Sequence, residues 1–183
     1  MTSQAKLQGP GKPKRGRPPD STAKETRLKL LRSAASEFSS AEYSQVSLVA
    51  IARNVGLTST AIYNHFASKD DLFLATAKHL MTVNLDGIER AVAGEDDWKA
   101  KLRAILDLIK SNETGWLRFP LLTPAVQLKS MRDPEEFADI LRLRKRFVLH
   151  FVALVKSAQE AGDMPKDIPT YPTGELLLAF TFN

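Results

Sequence analysis

The order of apolar and polar residues between positions 46 and 72 predicts two short helices joined by a tight turn. Apolar residues open this stretch at helical spacing, as one face of a helix requires: Val46, Val49, Ala52 and Val55, with Ile51 beside them. Ser47 can cap the first helix. Gly56 can supply the positive φ of the turn, and Leu57 returns the chain to the core beside Ala52.

A second short helix is predicted directly after the turn. Thr58 or Ser59 can cap it, and Ile62 and Phe66 share its inward face because they are four residues apart. The other side is then polar and aromatic, with His65 at its edge: Ser59, Thr60, Tyr63 and Asn64. Such a surface on the second of two short helices is typical of a helix-turn-helix that enters the major groove, so the stretch indicates DNA binding.

A third helix is predicted to start at Ser68. Ser68 and Asp71 have the spacing of a capping box, in which a hydroxyl is followed three residues later by an acid. This helix would carry Leu72 and Phe73 inward and leave Lys69 pointing outward.

The segment GLTSTAIYNHFASKDDL, residues 56–72, is similar to the recognition helix and the start of helix four in TetR-family transcriptional repressors. Ser47 and the pair Ile51 and Ala52 match the same family upstream, so the resemblance covers roughly residues 22–74. It implies a three-helix DNA-binding domain and an all-α regulatory domain that binds a small-molecule effector. It also implies a homodimer that reads a palindromic double-stranded DNA operator.

The motif and the predicted surface together give the candidate DNA contacts. Side chains that would face bases or phosphates are Ser59, Thr60, Tyr63 and His65. Ser47 and Lys69 would contact the sugar–phosphate backbone. Ala61 could contact a thymine methyl group, or could only be small enough to allow close approach. With the flanking positions, the candidate DNA-binding residues are Arg15, Arg17, Ser47, Thr58, Ser59, Thr60, Ala61, Tyr63, Asn64, His65 and Lys69.

Positive charge is concentrated at the start of the chain. Residues 1–20 hold five basic residues and one acid, so they carry +4 of the net +5. This segment is rich in Gly and Pro and is predicted to be a disordered basic arm. Residues 13–18, PKRGRP, resemble an AT-hook, whose Arg15 and Arg17 would lie in an A·T-rich minor groove. The alternative is a solvated tail attracted to phosphates without specificity; a membrane-surface role lacks the anchor it needs.

The helix before the helix-turn-helix is predicted to start at a capping box formed by Thr22 and Glu25. Lys24 and Arg27, near its start, could reach a phosphate, although surface cations usually face only water. The predicted inward face comprises Leu28, Leu31, Ala34, Ala35 and Phe38.

The second half of the chain reads as further helices. Residues 97–109 predict one, with Trp98, Leu102, Ile105 and Ile109 on one side, and residues 116–124 are irregular. Asp133 and Pro134 should start a long helix that ends at Gly162. A loop over residues 165–172 and a last helix from about Thr173 follow. The long helix has the predicted inward face Phe137, Ile140, Leu141, Phe147, Phe151, Leu154 and Val155, and the solvated basic flank Arg142, Arg144, Lys145 and Arg146.

Aromatic residues of this region could line an apolar effector cavity between helices, or could be ordinary core: Trp116, Phe119, Leu122, Phe147, His150 and Phe151. His79 and His150 have no metal-ligand spacing, which favours structural roles. In the family, two C-terminal helices usually form the dimer interface. Here there is room for barely one before Asn183, which favours a clipped chain over an exposed apolar end.

These patterns give an all-α fold with a basic arm at 1–20, a helix-turn-helix DNA-binding domain at 21–68 and a helical regulatory and dimerisation domain at 69–183. With no cysteine, no apolar run of membrane-spanning length and no secretory signal, a cytoplasmic protein is expected, bacterial and on the nucleoid when bound to DNA. An enzyme lacks support because no nucleophile motif, phosphate loop or paired metal ligands are present, and no cofactor is expected. The alternative to a ligand-relieved repressor is an architectural protein that binds A·T-rich DNA.

Overall fold

The computed structural model describes residues 19–111 and 133–182, and this part of the chain is helical with no strand. The all-α prediction is therefore confirmed. Two 3₁₀ helices, Tyr43–Gln45 and Ala61–Asn64, lie among the α-helices. The α-helices are α1 (Pro19–Ser40), α2 (Leu48–Asn54), α3 (Lys69–Val92), α4 (Trp98–Ser111), α5 (Ala138–Glu160) and α6 (Thr170–Phe182).

Helix α1 begins earlier than the sequence predicts. It starts at Pro19, so Thr22 lies inside the helix and the predicted capping box is wrong. Proline is well suited to the first turn of a helix because the backbone N–H it lacks would have no partner there. Leu30 is fully buried, whereas Leu28 of the predicted inward face is only half-buried. The buried face of α1 is wide because this helix packs against both α2 and α3.

Helix α2 and its turn follow the prediction closely. Ser47 caps α2 by accepting a hydrogen bond from the Ala50 N–H at 3.4 Å, and Gly56 has a φ of +76°. Val49 is the exception, because it is 48% exposed instead of buried. It lies almost opposite Ile51 on the helix, and Ile51 is the residue that enters the core.

The second element of the helix-turn-helix is shorter than predicted. Residues 59–60 form a turn, and only Ala61–Asn64 are helical, in 3₁₀ geometry. The N-cap residue of this helix is Thr60, which makes no side-chain cap hydrogen bond, whereas Thr58 Oγ1 accepts from the Ala61 N–H at 3.2 Å and holds the preceding turn. Threonine, serine and asparagine side chains compete for backbone hydrogen bonds, which explains why a full α-helix does not form here.

Helix α3 connects the helix-turn-helix to the rest of the molecule. Ser68 caps it as predicted, with Oγ accepting from the Asp71 N–H at 3.0 Å, and Asp71 Oδ2 accepts from the Ala67 N–H at 2.9 Å. At 1.5 Å per residue its 24 residues span roughly 36 Å. Its buried side chains run from Leu72 to Ile88 within one continuous apolar core.

Helix α4 agrees with its predicted start and its predicted inward face. Asp97 Oδ1 accepts from the N–H groups of Lys99 and Ala100 at 2.7 and 2.9 Å. These two hydrogen bonds are the main reason why the pKa of Asp97 is lowered. Ile105 is buried, and α4 packs on α3 and α5.

Helix α5 begins at Ala138, four residues after Pro134, the predicted first helical residue. Asp133 and Pro134 belong to turns that lead into it, and Phe137 is 2% exposed at its N-terminal boundary. The end of α5 agrees with the prediction: the helix ends at Glu160, and Gly162 has a φ of +79°. Leu141, predicted to face inward, is 42% exposed. It lies in the first turn of α5.

Two further predictions for α5 and α6 are wrong. Helix α6 starts at Thr170, so the predicted loop stops at Pro169 and Pro172 lies in the first turn, where its missing N–H costs little. The basic flank of α5 is also not simply solvated. Arg144 pairs with Glu175 of α6 at 3.2 Å, and Arg146 pairs with Glu89 of α3 at 2.6 Å.

Helices α5 and α6 pack closely around Gly174. A Cβ atom added there would lie 2.7 Å from Val152 Cγ2 and 2.8 Å from the Val152 backbone nitrogen. Only glycine therefore fits at this contact. None of the described helices is long and apolar enough to cross a membrane.

Candidate DNA-binding surface

The residues from Thr58 to His65, here called the recognition segment, are mostly exposed, with one fully buried side chain. Ile62 is 1% exposed and Phe66, just beyond the segment, is 2% exposed, so both anchor it in the core as predicted. Tyr63, next to Ile62, is 57% exposed. Ser59, Thr60 and Asn64 are exposed, as the sequence predicts, and Thr58 is exposed as well.

Both ends of the recognition segment are held by side chains. Thr58 Oγ1 accepts the Ala61 N–H at its start, and Arg27 of α1 donates to the His65 carbonyl at its end, at 2.6 Å. The Arg27 guanidinium carbon also lies 4.1 Å from the centre of the Phe66 ring. His65 and Ala61 themselves are half-buried, and their geometry leaves both interpretations of Ala61 open.

Ser47 precedes α2, and Lys69 is the first residue of α3, which follows the recognition segment. Ser47 is exposed, and its Oγ accepts the hydrogen bond from the Ala50 N–H that caps α2. Because Oγ is the acceptor in this bond, the hydroxyl can still donate its hydrogen to a phosphate oxygen. Lys69 is half-buried instead of pointing freely outward. Its Nζ donates to the Ser44 carbonyl at 3.3 Å and lies 4.6 Å from the centre of the Tyr43 ring.

Tyr43 organises the region around Lys69. Its ring contacts Phe38 and Phe73, with ring centres 5.8 and 5.2 Å away, and its hydroxyl donates to Asp70. Burial and, after it, the hydrogen bond to Asp70 raise the pKa of Tyr43. The phenol is therefore neutral at physiological pH and connects the segment before α2 to the first turn of α3.

Some predicted site residues lie outside the described part of the chain. These are Arg15 and Arg17 of the arm, and Trp116, Phe119 and Leu122 of the candidate effector cavity. Of the remaining cavity candidates, Phe147 and Phe151 are 3% and 0% exposed on α5. Both rings are therefore part of the apolar core.

His79 of α3 and His150 of α5 have different neighbours. His150 is half-buried, with Nε2 3.6 Å from Glu89 Oε1, the same oxygen that accepts from Arg146. Burial and, to a smaller extent, the charge of Arg32 lower the pKa of His79. Among residues 19–111 and 133–182 no group of His, Asp and Glu side chains could hold a metal ion.

One polar group in the core was missed by the sequence reasoning. Asn84 of α3 is 2% exposed, and its Oδ1 is buried without a hydrogen-bond partner in the described structure. It occupies the apolar face of α3, three residues after Met81 and four before Ile88. The sequence signal that identifies Asn84 is an amide side chain at a position that the helical spacing of apolar residues assigns to the core.

Residues 30–76 match the family model for bacterial regulatory proteins of the tetR family. Residues 30–76 are therefore a helix-turn-helix region of the tetR type. The HTH-type transcriptional regulator UidR of Escherichia coli strain K12 is 27% identical over 161 residues, which cover 87% of this chain and 80% of UidR.

Solved structures of TetR-like proteins share the fold of this chain. A TetR-family regulator from Agrobacterium tumefaciens has a TM-score of 0.70 at 16% identity, over 86% of this chain and 83% of that one. The ketosteroid transcriptional regulator KstR2 of Mycobacterium tuberculosis has a TM-score of 0.67 at 17% identity, over 85% and 79%. Both have the helical architecture described above.

The family match indicates the coarse function of this region. Proteins of the tetR family are DNA-binding transcriptional regulators. The match over residues 30–76 includes the second half of α1, all of α2 and the recognition segment. The helix-turn-helix predicted from apolar spacing thus lies within the part of the chain that the family model matches.

Proposed function

We propose that this protein is a sequence-specific transcriptional repressor that inserts its recognition segment into the major groove of an operator. The observation that carries the proposal is the exposure of Tyr63, at 57%, on a segment whose neighbouring Ile62 is fully buried. A rigidly anchored backbone that displays one aromatic and several hydroxyl and amide groups is suited to reading base edges.

The candidate contacts have different roles in this proposal. Side chains of the recognition segment face bases or phosphates: Ser59, Thr60, Tyr63 and His65. Thr58, Ala61 and Asn64 adjoin them. Ser47 and Lys69 contact phosphates and fix the register of the domain on the duplex, which carries no sequence information by itself. Arg15 and Arg17 add affinity from an adjacent A·T-rich minor groove.

The operator is read by a homodimer. Helix α6 supports this because it is apolar on two sides: Leu178 is buried against the core, while Leu176 and Phe180 are 55% and 76% exposed. Leu149 of α5 is 46% exposed as well. A second copy of the chain would bury these side chains and set two recognition segments about 35 Å apart, one helical turn of DNA.

A small apolar or amphipathic effector relieves repression. Supporting this are the unpaired Oδ1 of Asn84 among apolar side chains and the buried rings of Phe147 and Phe151. A structural neighbour, KstR2, is named as a ketosteroid regulator. Trp116, Phe119, Leu122 and His150 complete the proposed lining. The effector lowers DNA affinity by binding better to a dimer with a different spacing of the two segments.

The direct test is selection of bound fragments from random or genomic DNA by the purified protein at physiological salt. The proposal expects a common inverted repeat with half-sites about 10 base pairs apart, flanked by A·T-rich sequence. Enrichment of A·T content without a repeat would instead favour an architectural DNA-binding protein. Failure to enrich any sequence would contradict the proposed function.

A further inference from the structure

The recognition segment has little structure of its own to hold it in place. Its only helix, Ala61–Asn64, is one 3₁₀ turn, and the local backbone hydrogen bonds span three or four residues, such as Tyr63 N–H to Thr60 and Phe66 N–H to Ile62. Base readout requires side chains held within about 0.5 Å of their working positions. The segment must therefore be fixed by the elements around it.

Arg27 is the side chain that fixes the end of the segment. It belongs to α1, 38 residues before His65 in sequence, and its guanidinium makes two contacts at once. One edge donates to the His65 carbonyl at 2.6 Å, and the flat face covers the Phe66 ring at 4.1 Å. Only a planar guanidinium can make both contacts, since a lysine ammonium has no flat face to stack.

We infer that Arg27 is a positioning residue that determines the sequence specificity of DNA binding, and that it does not act as a phosphate contact. This inference rests on the proposed function. Loss of the Arg27 contacts would free the His65 carbonyl and uncover the Phe66 ring, and the segment that displays Tyr63 would move. Phosphate contacts made elsewhere, by Ser47 and Lys69, would be unaffected.

The test compares Arg27→Lys with Arg27→Gln and with Lys24→Gln, which removes an exposed cation from the same helix. Each variant is titrated with the selected operator and with a scrambled duplex over a range of salt concentrations. Arg27→Lys keeps the charge, yet it is expected to bind the operator roughly tenfold more weakly, the order of one lost charge-assisted hydrogen bond. Its affinity for scrambled DNA and its salt slope are expected to match the wild type.

Arg27→Gln is expected to repeat this result, with the salt slope unchanged. Lys24→Gln should change operator and scrambled DNA equally. A phosphate role would contradict the inference: Arg27→Lys would then bind normally, and Arg27→Gln would lower the slope by about 0.9. Wild-type behaviour of both Arg27 variants, or global unfolding of Arg27→Lys, would also overturn it. Because the wild type is measured in parallel, failure of the proposed function appears separately, as the absence of any selected operator.

Discussion

Asn84 is a residue whose chemistry conflicts with its surroundings. A buried carbonyl oxygen without a hydrogen bond costs roughly 1–3 kcal/mol of stability. Native proteins keep few such groups, and those they keep usually need an explanation in terms of a ligand, water or a strained site. Asn84 lies on the buried face of α3, the helix that follows the recognition segment.

The substitution Asn84→Leu keeps the branched shape of the side chain and removes its polar atoms. We expect it to raise the free energy of unfolding by about 1–2 kcal/mol, because the unsatisfied oxygen is gone. Chemical denaturation followed by circular dichroism measures this change. Asn84→Ala is the control and should lower stability because it leaves a cavity.

A leucine variant less stable than the wild type would show that the Asn84 oxygen has a stabilising partner after all. If Asn84 anchors the effector, Asn84→Leu should also stay on the operator when a compound that releases the wild type is added. Normal release would remove Asn84 from the effector site.

The residues that the sequence identified correctly are those whose environment is set locally. Ile62 and Phe66 face inward because they are one helical turn apart, and both are buried. Arg27 and Lys69 were harder to interpret because their partners, His65 and Ser44, are 38 and 25 residues away. Long charged side chains fold back onto whatever ring or carbonyl the tertiary structure provides, and a pattern within one helix does not contain that information.

At the scale of elements, the same distinction separates correct from incorrect boundaries. Caps at Ser47 and Ser68 and the turn at Gly56 depend on a few neighbouring residues, and all three agree with the structure. The starts of α1, α5 and α6 do not agree. Strong start signals, such as Asp133 followed by Pro134, show that a helix can begin there, whereas packing decides where it does begin.

The pair formed by α5 and α6 depends on one small residue. Gly174→Ala would place a methyl group within 3 Å of both the side chain and the backbone nitrogen of Val152. We expect a loss of about 1–3 kcal/mol in the free energy of unfolding, in spite of the better helix propensity of alanine. Urea denaturation measures it.

Gly94→Ala is the matched control, since nothing lies within 4 Å of a Cβ there and the residue has no positive φ. It should be neutral or slightly stabilising. Equal stability of Gly174→Ala and the wild type would mean that α5 and α6 are packed less closely than described.

At the scale of the whole molecule, α3 is the helix that packs against α1, α4 and α5. Its first turns carry Leu72 and Phe73 into the core beside the helix-turn-helix. Further along, Lys78 pairs with Asp139 and Glu89 pairs with Arg146, so two ion pairs join it to α5. The helix that follows the recognition segment is therefore joined to α5 by charged side chains as well as by the core.

The exposed side of α6 predicts the oligomeric state. Phe180→Glu places a charge on a surface that the proposed homodimer buries, and we expect monomers at micromolar concentration together with a large loss of operator affinity. Light scattering after size-exclusion chromatography measures the mass. Leu106→Glu, at a 40% exposed position on α4, is the control and should stay dimeric. A Phe180→Glu protein that remains dimeric would place the interface elsewhere.

The claim that the recognition segment reads the operator is tested most directly by Tyr63→Ala. Its control is Tyr171→Ala, a second exposed tyrosine, on the side of α6 opposite Phe180. The measurement is a fluorescence-anisotropy titration of the selected operator at moderate salt, with thermal unfolding of each variant. Tyr63→Ala is expected to lose at least about tenfold in affinity without a change in unfolding temperature, and Tyr171→Ala to bind as the wild type does. Unchanged affinity of Tyr63→Ala would contradict the account.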